Sequence, residues 1–273
     1  MLQQLAINTN TYHGFTLEEA IKGAKDAGFS KIELAVVRDH TSHVLPDMST
    51  EQLQNTKKML KDYGMTCIGV SAHSNVMQKE GVKNLLESID LAVEFDCKYI
   101  VTATGDSHDD ADVIEDFAVL AENLHPVLEK CAALDKTLVL ETHGNNFATG
   151  ESIKSFISSL TSNEERVRIT YDTGNVLFYG NTQPYEDLES TVDYVEFIHL
   201  KDKKGPYNEW NFPAIGDGAF DFNRITNILK KGRYKGPISV EVEFTSEGPE
   251  NLEEVNRSVK KSYQYLSQIL TSR

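Results

Sequence analysis

Residues 137–144 read TLVLETHG, a short run of apolar and β-branched residues that stops at a carboxylate, with an imidazole two places on. A run this short, bounded by polar residues, reads as a buried parallel strand. The pattern recurs three times downstream, in VRITYDTGN (167–175), YVEFIHLKD (194–202) and PISVEVE (237–243). Each copy finishes in a side chain able to bind a metal ion: Glu141, Asp172, His199 and Glu241. Upstream, the strand reading extends to 5–9, 31–36, 66–72 and 98–103. With 137–141, 167–171, 194–199 and 237–242, that makes eight strand candidates.

Amphipathic segments lie between them, at 17–28, 50–63, 82–95, 112–135, 150–161, 222–231 and 250–270, with 184–191 a short helix at best. Thr16 and Glu19 make a capping box before the first, Gly28 and Gly64 are C-terminal stops, and Asp221 caps the segment from Phe222. Strands alternating with helices predict an α/β fold, specifically a (β/α)8 TIM barrel forming a single domain over residues 1–273. The alternative is an open doubly wound sheet. It expects a glycine-rich phosphate loop after the first strand, and INTNTYHGF (7–15) contains none.

Hydrophobic residues make up 40% of the chain and charged residues 25%, enough to bury a sizeable core. Acidic residues outnumber basic ones 42 to 27, a formal net charge of −15. Such a surface repels phosphate backbones and anionic membranes, so neither nucleic acid nor a membrane is an expected partner. The three cysteines, Cys67, Cys97 and Cys131, form no CxxC pair and predict reduced thiols. No basic stretch followed by an apolar one opens the chain, and no run long enough to span a bilayer follows, so the expected location is the cytoplasm. A homo-oligomer is left open.

In a barrel of this kind, chemistry comes from the C-terminal strand ends and the loops after them. Alternate strand residues share a face. Glu141 therefore sides with His143, His199 with Lys201, and Glu241 with Glu243, while Leu140, Ile198, Leu200, Val240 and Val242 take the other face. The polar set points towards the barrel axis. Three carboxylates crowded there would repel each other and stay partly protonated without a cation. The pattern predicts one divalent metal ion, Mn2+, Mg2+, Co2+ or Zn2+, held by Glu141, Asp172, His199 and Glu241. Glu243 is the alternative to Glu241, which is preferred because it directly follows the apolar run.

The stretches AGFSKIEL (27–34), LVLETHG (138–144), YDTGN (171–175), FIHLKD (197–202), GDG (216–218) and GPISVE (236–241), in this order, resemble the xylose-isomerase-like barrel superfamily. The resemblance lies with the sugar isomerases and epimerases, a branch that includes ketose 3-epimerases, hydroxypyruvate isomerase and inosose dehydratase. It implies the same four metal ligands, and it implies that Glu141 and Glu241 are the catalytic acid/base pair on opposite faces of the substrate. One position departs. Many relatives carry a histidine three residues after the aspartate, whereas this chain has Asn175, which can bind a hydroxyl but cannot shuttle a proton at neutral pH.

The expected activity is a metal-dependent sugar isomerase or epimerase acting on a small keto-sugar. A carboxylate takes a proton beside the carbonyl and the metal stabilises the resulting enediolate. A dehydratase of the inosose type on the same site is the alternative. An apurinic-site endonuclease needs more site histidines and a basic face, and a non-catalytic sugar-binding barrel is the remaining reading. Glu33 is expected either to bind a substrate hydroxyl or to form a structural salt bridge. His73 and Asn175 are expected to contact substrate, Lys201 to offset charge or hold a substrate oxygen, and His143 to contact substrate or orient a ligand. The long stretch 203–220 holds Trp210 and Phe212, expected to stack on a sugar or to anchor the loop. His13, His40, His43, His108 and His125 receive no role.

Overall fold

The computed structural model describes residues 1–38, 40–104, 114, 117–162 and 164–271. Eight parallel strands close into a barrel: β1 (Leu5–Asn8), β2 (Lys31–Ala35), β3 (Thr66–Ser71), β4 (Tyr99–Thr102), β5 (Thr137–Glu141), β6 (Val167–Asp172), β7 (Val195–Leu200) and β8 (Ile238–Val240). Each strand pairs with its neighbours in chain order, and β1 closes the ring on β8 through Leu5, Ala6 and Ile7 opposite Ile238, Ser239 and Val240. The fold is therefore the (β/α)8 TIM barrel and not an open sheet. The last strand is shorter than expected, so Glu241 and Glu243 lie on the segment just beyond it.

The helices ring the barrel: α1 (Leu17–Ala27), α2 (Thr50–Asp62), α3 (Lys79–Glu94), α4 (Phe117–Ala133), α5 (Gly150–Ser159), α6 (Asn175–Phe178), α7 (Pro184–Thr191), α8 (Phe222–Lys231) and α9 (Leu252–Thr271). Thr16 and Glu19 make the capping box of α1, Gly28 closes it in the left-handed region at φ 116°, and Asp221 caps α8. The segment at 184–191 does form a helix, with Pro184 in its first turn where no backbone donor is needed. The start of the expected helix at 112, and His108, lie outside the described residues.

Side-chain alternation sorts the interior into two layers. Leu138, Leu140, Ile198, Leu200 and Val240 join the large apolar layer between strands and helices. Val139 and Phe197, each two residues before a polar strand end, meet Val101 in a small cluster with Ile68 and Tyr99 packed against it. That cluster fills the barrel below the polar tier. Register sets the tier above it, since Asp172 lies opposite His199 across β6 and β7, and Glu141 opposite Thr170 across β5 and β6.

The connection after β7 is tethered by one carboxylate. Asp202, fully buried, accepts backbone hydrogen bonds from Lys203 at 2.8 Å, Gly216 at 2.9 Å, Gly218 at 2.8 Å and Phe220 at 3.3 Å. A Cβ at Gly218 would overlap that carboxylate, which explains the second glycine of the GDG turn. The buried Lys203 donates to the carbonyls of Lys204 and Pro206 at 2.7 and 2.8 Å. Asp202→Ala strands several buried donors, at about 1–3 kcal/mol each. We expect a lower urea midpoint and faster proteolysis within 204–218. A wild-type midpoint and digestion pattern would show that the loop is held elsewhere.

Candidate active site

His199 stands at the centre of the polar tier. It is 1% exposed, and both ring nitrogens face carboxylates. Nε2 is 3.0 Å from both oxygens of Glu33, and Nδ1 is 2.9 Å from Glu141 Oε1. Asp172 Oδ2 and Glu241 Oε2 lie 4.0 and 3.9 Å from the same Nδ1. Lys201, two residues on and equally buried, places Nζ 3.2 Å from Asp172 Oδ2, 2.9 Å from Glu241 Oε2 and 2.8 Å from Glu243 Oε2.

The carboxylates are held individually. Glu141 Oε1 accepts from Asn175 Nδ2 at 3.2 Å, and its Oε2 lies 2.6 Å from His73 Nε2. Asp172 Oδ1 accepts the backbone N–H groups of Gly174 and Asn175, both at 2.8 Å, at the start of α6. Asn10, in the 3-10 turn (Thr9–Tyr12) that follows β1, donates to Glu241 Oε1 at 3.0 Å and Glu243 Oε1 at 3.1 Å. Its own Oδ1 accepts from the Thr41 hydroxyl at 2.6 Å.

Burial and charge set the protonation states. Burial pushes Glu141 up, but the His199 and His73 rings outweigh it and hold the carboxyl well below the usual range. Burial raises Asp172 to about 7, because Lys201 offsets only part of it and the charges of Glu141 and Glu241 add to it. Glu241 is held down by Lys201 and His199 against burial, whereas burial leaves Glu243 raised. Burial alone would lower His199 and Lys201; the surrounding carboxylates drive both well up.

One oxygen or nitrogen each from Glu141, Asp172, His199 and Glu241 lies within 4.8 Å of all the others, and all four residues are buried. Ligands at ~2.1 Å from a divalent ion stand roughly 3–4 Å apart, so the group needs only a small contraction to close on one. Glu141 Oε2 and Asp172 Oδ2 are buried, with only the ion-pair contacts of His73 and Lys201 and no hydrogen bond of good geometry, so each keeps a lone pair for a cation. This O3N set fits a divalent metal; Glu241 and Glu243 share Asn10 and Lys201 as partners, but only Glu241 brings an oxygen into the group with Glu141, Asp172 and His199.

A cavity of about 840 Å3 opens over the tier. Glu141 and Glu241 line it, whereas the buried Asp172, His199, Glu33 and Asn175 do not. His73, His143, Lys201 and Trp210 also form its wall. Phe212 is fully buried and packs beneath Trp210 at 5.0 Å, so it anchors the loop. Glu33 is fully enclosed against His199, away from the cavity where a hydroxyl contact would be made.

Sequence reasoning missed several wall residues. Asn10 carries no charge and gave no signal beyond its place just after a strand. His13 and His40, given no role, stack at 4.3 Å on the cavity wall, with Arg38 beside them. His43 instead bonds the Phe15 carbonyl at 2.9 Å, and His125 pairs with Glu129 on α4.

Known proteins show the same architecture. A family model described as xylose isomerase-like TIM barrel matches residues 21–265. Inosose dehydratase of Clostridium botulinum (strain Eklund 17B / Type B) is 28% identical over 145 residues, 47% of this chain and 48% of that protein. The chain thus spans about half the length of the curated relatives it matches. D-psicose 3-epimerase from Clostridium cellulolyticum H10, solved with D-tagatose, superimposes with a TM-score of 0.78 at 16% identity, covering 98% of this chain and 100% of that one. A xylose isomerase-like TIM barrel protein from Mycobacterium smegmatis, solved with magnesium, gives a TM-score of 0.77 at 16% identity and covers 98% of each chain. At these identities the likeness to the solved structures is one of fold. The match over residues 21–265, on a closed eight-stranded barrel whose last four strands end in a metal-competent cluster, shows that this chain belongs to the xylose isomerase-like TIM barrel family.

Proposed function

We propose that the protein is a divalent-metal-dependent sugar isomerase or epimerase that moves a proton on the carbon beside the carbonyl of a small keto-sugar. One observation carries this: of the four clustered donors, only Glu141 and Glu241 also face the 840 Å3 cavity. A cation held by Glu141, Asp172, His199 and Glu241 would polarise the carbonyl and offset the charge that develops as the proton leaves. Glu141 is ionised and aimed by His73 and Asn175, so it can take that proton. Glu241, ionised and fixed by Asn10 and Lys201, can hold or return one from its own side. Lys201, with its three N–H groups turned to Asp172, Glu241 and Glu243, balances the charge of the cavity wall, and Trp210 supplies an apolar surface that excludes water. Mn2+ and Mg2+ suit a set dominated by carboxylates, Co2+ and Zn2+ less so.

The inosose dehydratase relatives favour a second reading, a lyase acting on a cyclitol with a carbonyl. In it, the same proton abstraction is followed by loss of a hydroxyl from the neighbouring carbon. The test is to incubate the Mn2+-loaded protein with free ketoses and inososes in D2O and follow products by NMR. Deuterium at one carbon without loss of water supports the isomerase. A conjugated carbonyl absorbance with loss of water supports the lyase. Unchanged substrates across the panel reject both and leave a binding barrel.

Asp172 adds a pH dependence whose sign is fixed. Its carboxyl titrates about 7 in the folded chain against 3.8 ordinarily. Its stabilising contribution is therefore full below about 4 and is lost as pH rises through about 7. The raised His199 contributes with the same sign, while His43, lowered chiefly by burial, opposes it away from the site. From about pH 5 to 8 we expect the metal-free wild type to lose stability relative to Asp172→Asn. Mn2+ affinity rises over the same interval, because a carboxyl and an imidazolium must shed protons to become ligands. Urea melts and calorimetric titrations at both ends check this. A pH-independent affinity would remove Asp172 from the ligand set.

A further inference from the structure

Glu33 is a buried carboxylate with no place in the reaction above. It sits on β2, across the barrel from β7, and is fully enclosed, with no part in the cavity wall. Both of its oxygens converge on one atom, His199 Nε2, at 3.0 Å. On the other edge of the ring, Nδ1 faces Glu141 at 2.9 Å, with Asp172 and Glu241 at 4.0 and 3.9 Å.

The ring is thus contested by two carboxylates. A neutral imidazole has one N–H and one lone pair, and its partners decide which nitrogen carries which. Were the proton on Nδ1, it would point at Glu141 and no lone pair would face the other donors. With the proton on Nε2, the lone pair of Nδ1 is aimed at the point shared by Glu141, Asp172 and Glu241. We propose that Glu33 is a positioning residue that holds the His199 proton on Nε2 and so makes Nδ1 a metal ligand. The inference rests on the metal reading above. It gives Glu33 a task distinct from both the hydroxyl contact and the simple salt bridge expected of it. A carboxylate behind the ring also raises the basicity of the ligating nitrogen. No other carboxylate reaches Nε2 among the described residues, so nothing substitutes for Glu33.

The test compares metal-stripped wild type, Glu33→Gln and Glu33→Leu by calorimetric titration with MnCl2. Long-range 1H–15N spectra of His199 in Zn2+-loaded wild type complete it. Wild type is expected to bind one Mn2+ per chain. The variants keep wild-type circular dichroism and bind about 10- to 100-fold more weakly, with Leu weaker than Gln. The spectrum shows Nε2 protonated and Nδ1 bound to metal. Both variants binding within about twofold of wild type would overturn the inference, since a ligand partner of this kind carries at least tenfold. So would a spectrum with Nε2 on the metal, which decides the matter even if the variants fail to fold. A wild type that takes up no Mn2+ overturns the metal reading itself, a failure distinct from intact binding that ignores Glu33.

Discussion

Glu141→Gln is expected to lower turnover by about 10²–10⁴-fold, the usual contribution of a positioned general base, while the barrel stays folded. The glutamine keeps the shape and can still accept from Asn175 Nδ2, but it cannot take a proton. It also removes the charge that pairs with His73 and His199, so weaker cation binding should accompany the loss. The measurement is kcat on the substrate identified in D2O, at saturating Mn2+ so that occupancy is not the variable, alongside circular dichroism. A variant that retains wild-type exchange at the labelled carbon would reject Glu141 as the base and move that role to Glu241.

The largest stability effect is expected at Lys201. Its ammonium is 2% exposed and lies within 3.2 Å of three carboxylates, those of Asp172, Glu241 and Glu243. Lys201→Met keeps an apolar stem but removes the ammonium that lies 5.1 Å over the Phe212 ring and leaves three buried carboxylates without their cation. Breaking a buried charge cluster from one side costs about 3–5 kcal/mol. For a chain of this size that lowers Tm by roughly 6–15 °C. The loss should be greatest in the metal-free protein and shrink when Mn2+ is added, because the ion supplies positive charge to two of the same carboxylates. Thermal melts with and without Mn2+ separate the two states. Equal losses in both would mean that the cation does not share the charges that Lys201 balances.

How far the sequence carried the reading depended on whether a residue advertises itself locally. The eight strands were legible because each is a short apolar run closed by polar residues. The clustering of Glu141, Asp172, His199 and Glu241 was legible because strand parity fixes which side chains share a face. Two features were not legible for the same physical reason: α6 and the ribbon pairing Asn211–Phe212 with Phe244–Thr245 are four and two residues long and have no period of their own. They are held by contacts far apart in sequence, such as Trp210 on Phe178 at 5.4 Å. Glu33 could be placed inside the barrel by parity, but its partner across the barrel could not. Asn10 was invisible because an amide just after a strand looks like any other turn residue. The carboxyl end of the eighth strand was overrun because Val242, buried in the outer layer, continues the apolar alternation after ladder pairing has stopped.

All four clustered donors come from β5 onwards, within residues 141–241, whereas Asn10, Glu33 and His73, which contact three of them, come from the first three strands and the loops that follow them. One half of the polypeptide thus supplies every candidate donor, and the other adds anchors to those that Asn175 and Lys201 already provide. Substitutions in that other half can retune selectivity for cation and substrate without replacing a donor. Drift of specificity within such a barrel is then expected to accumulate first in its opening hundred residues.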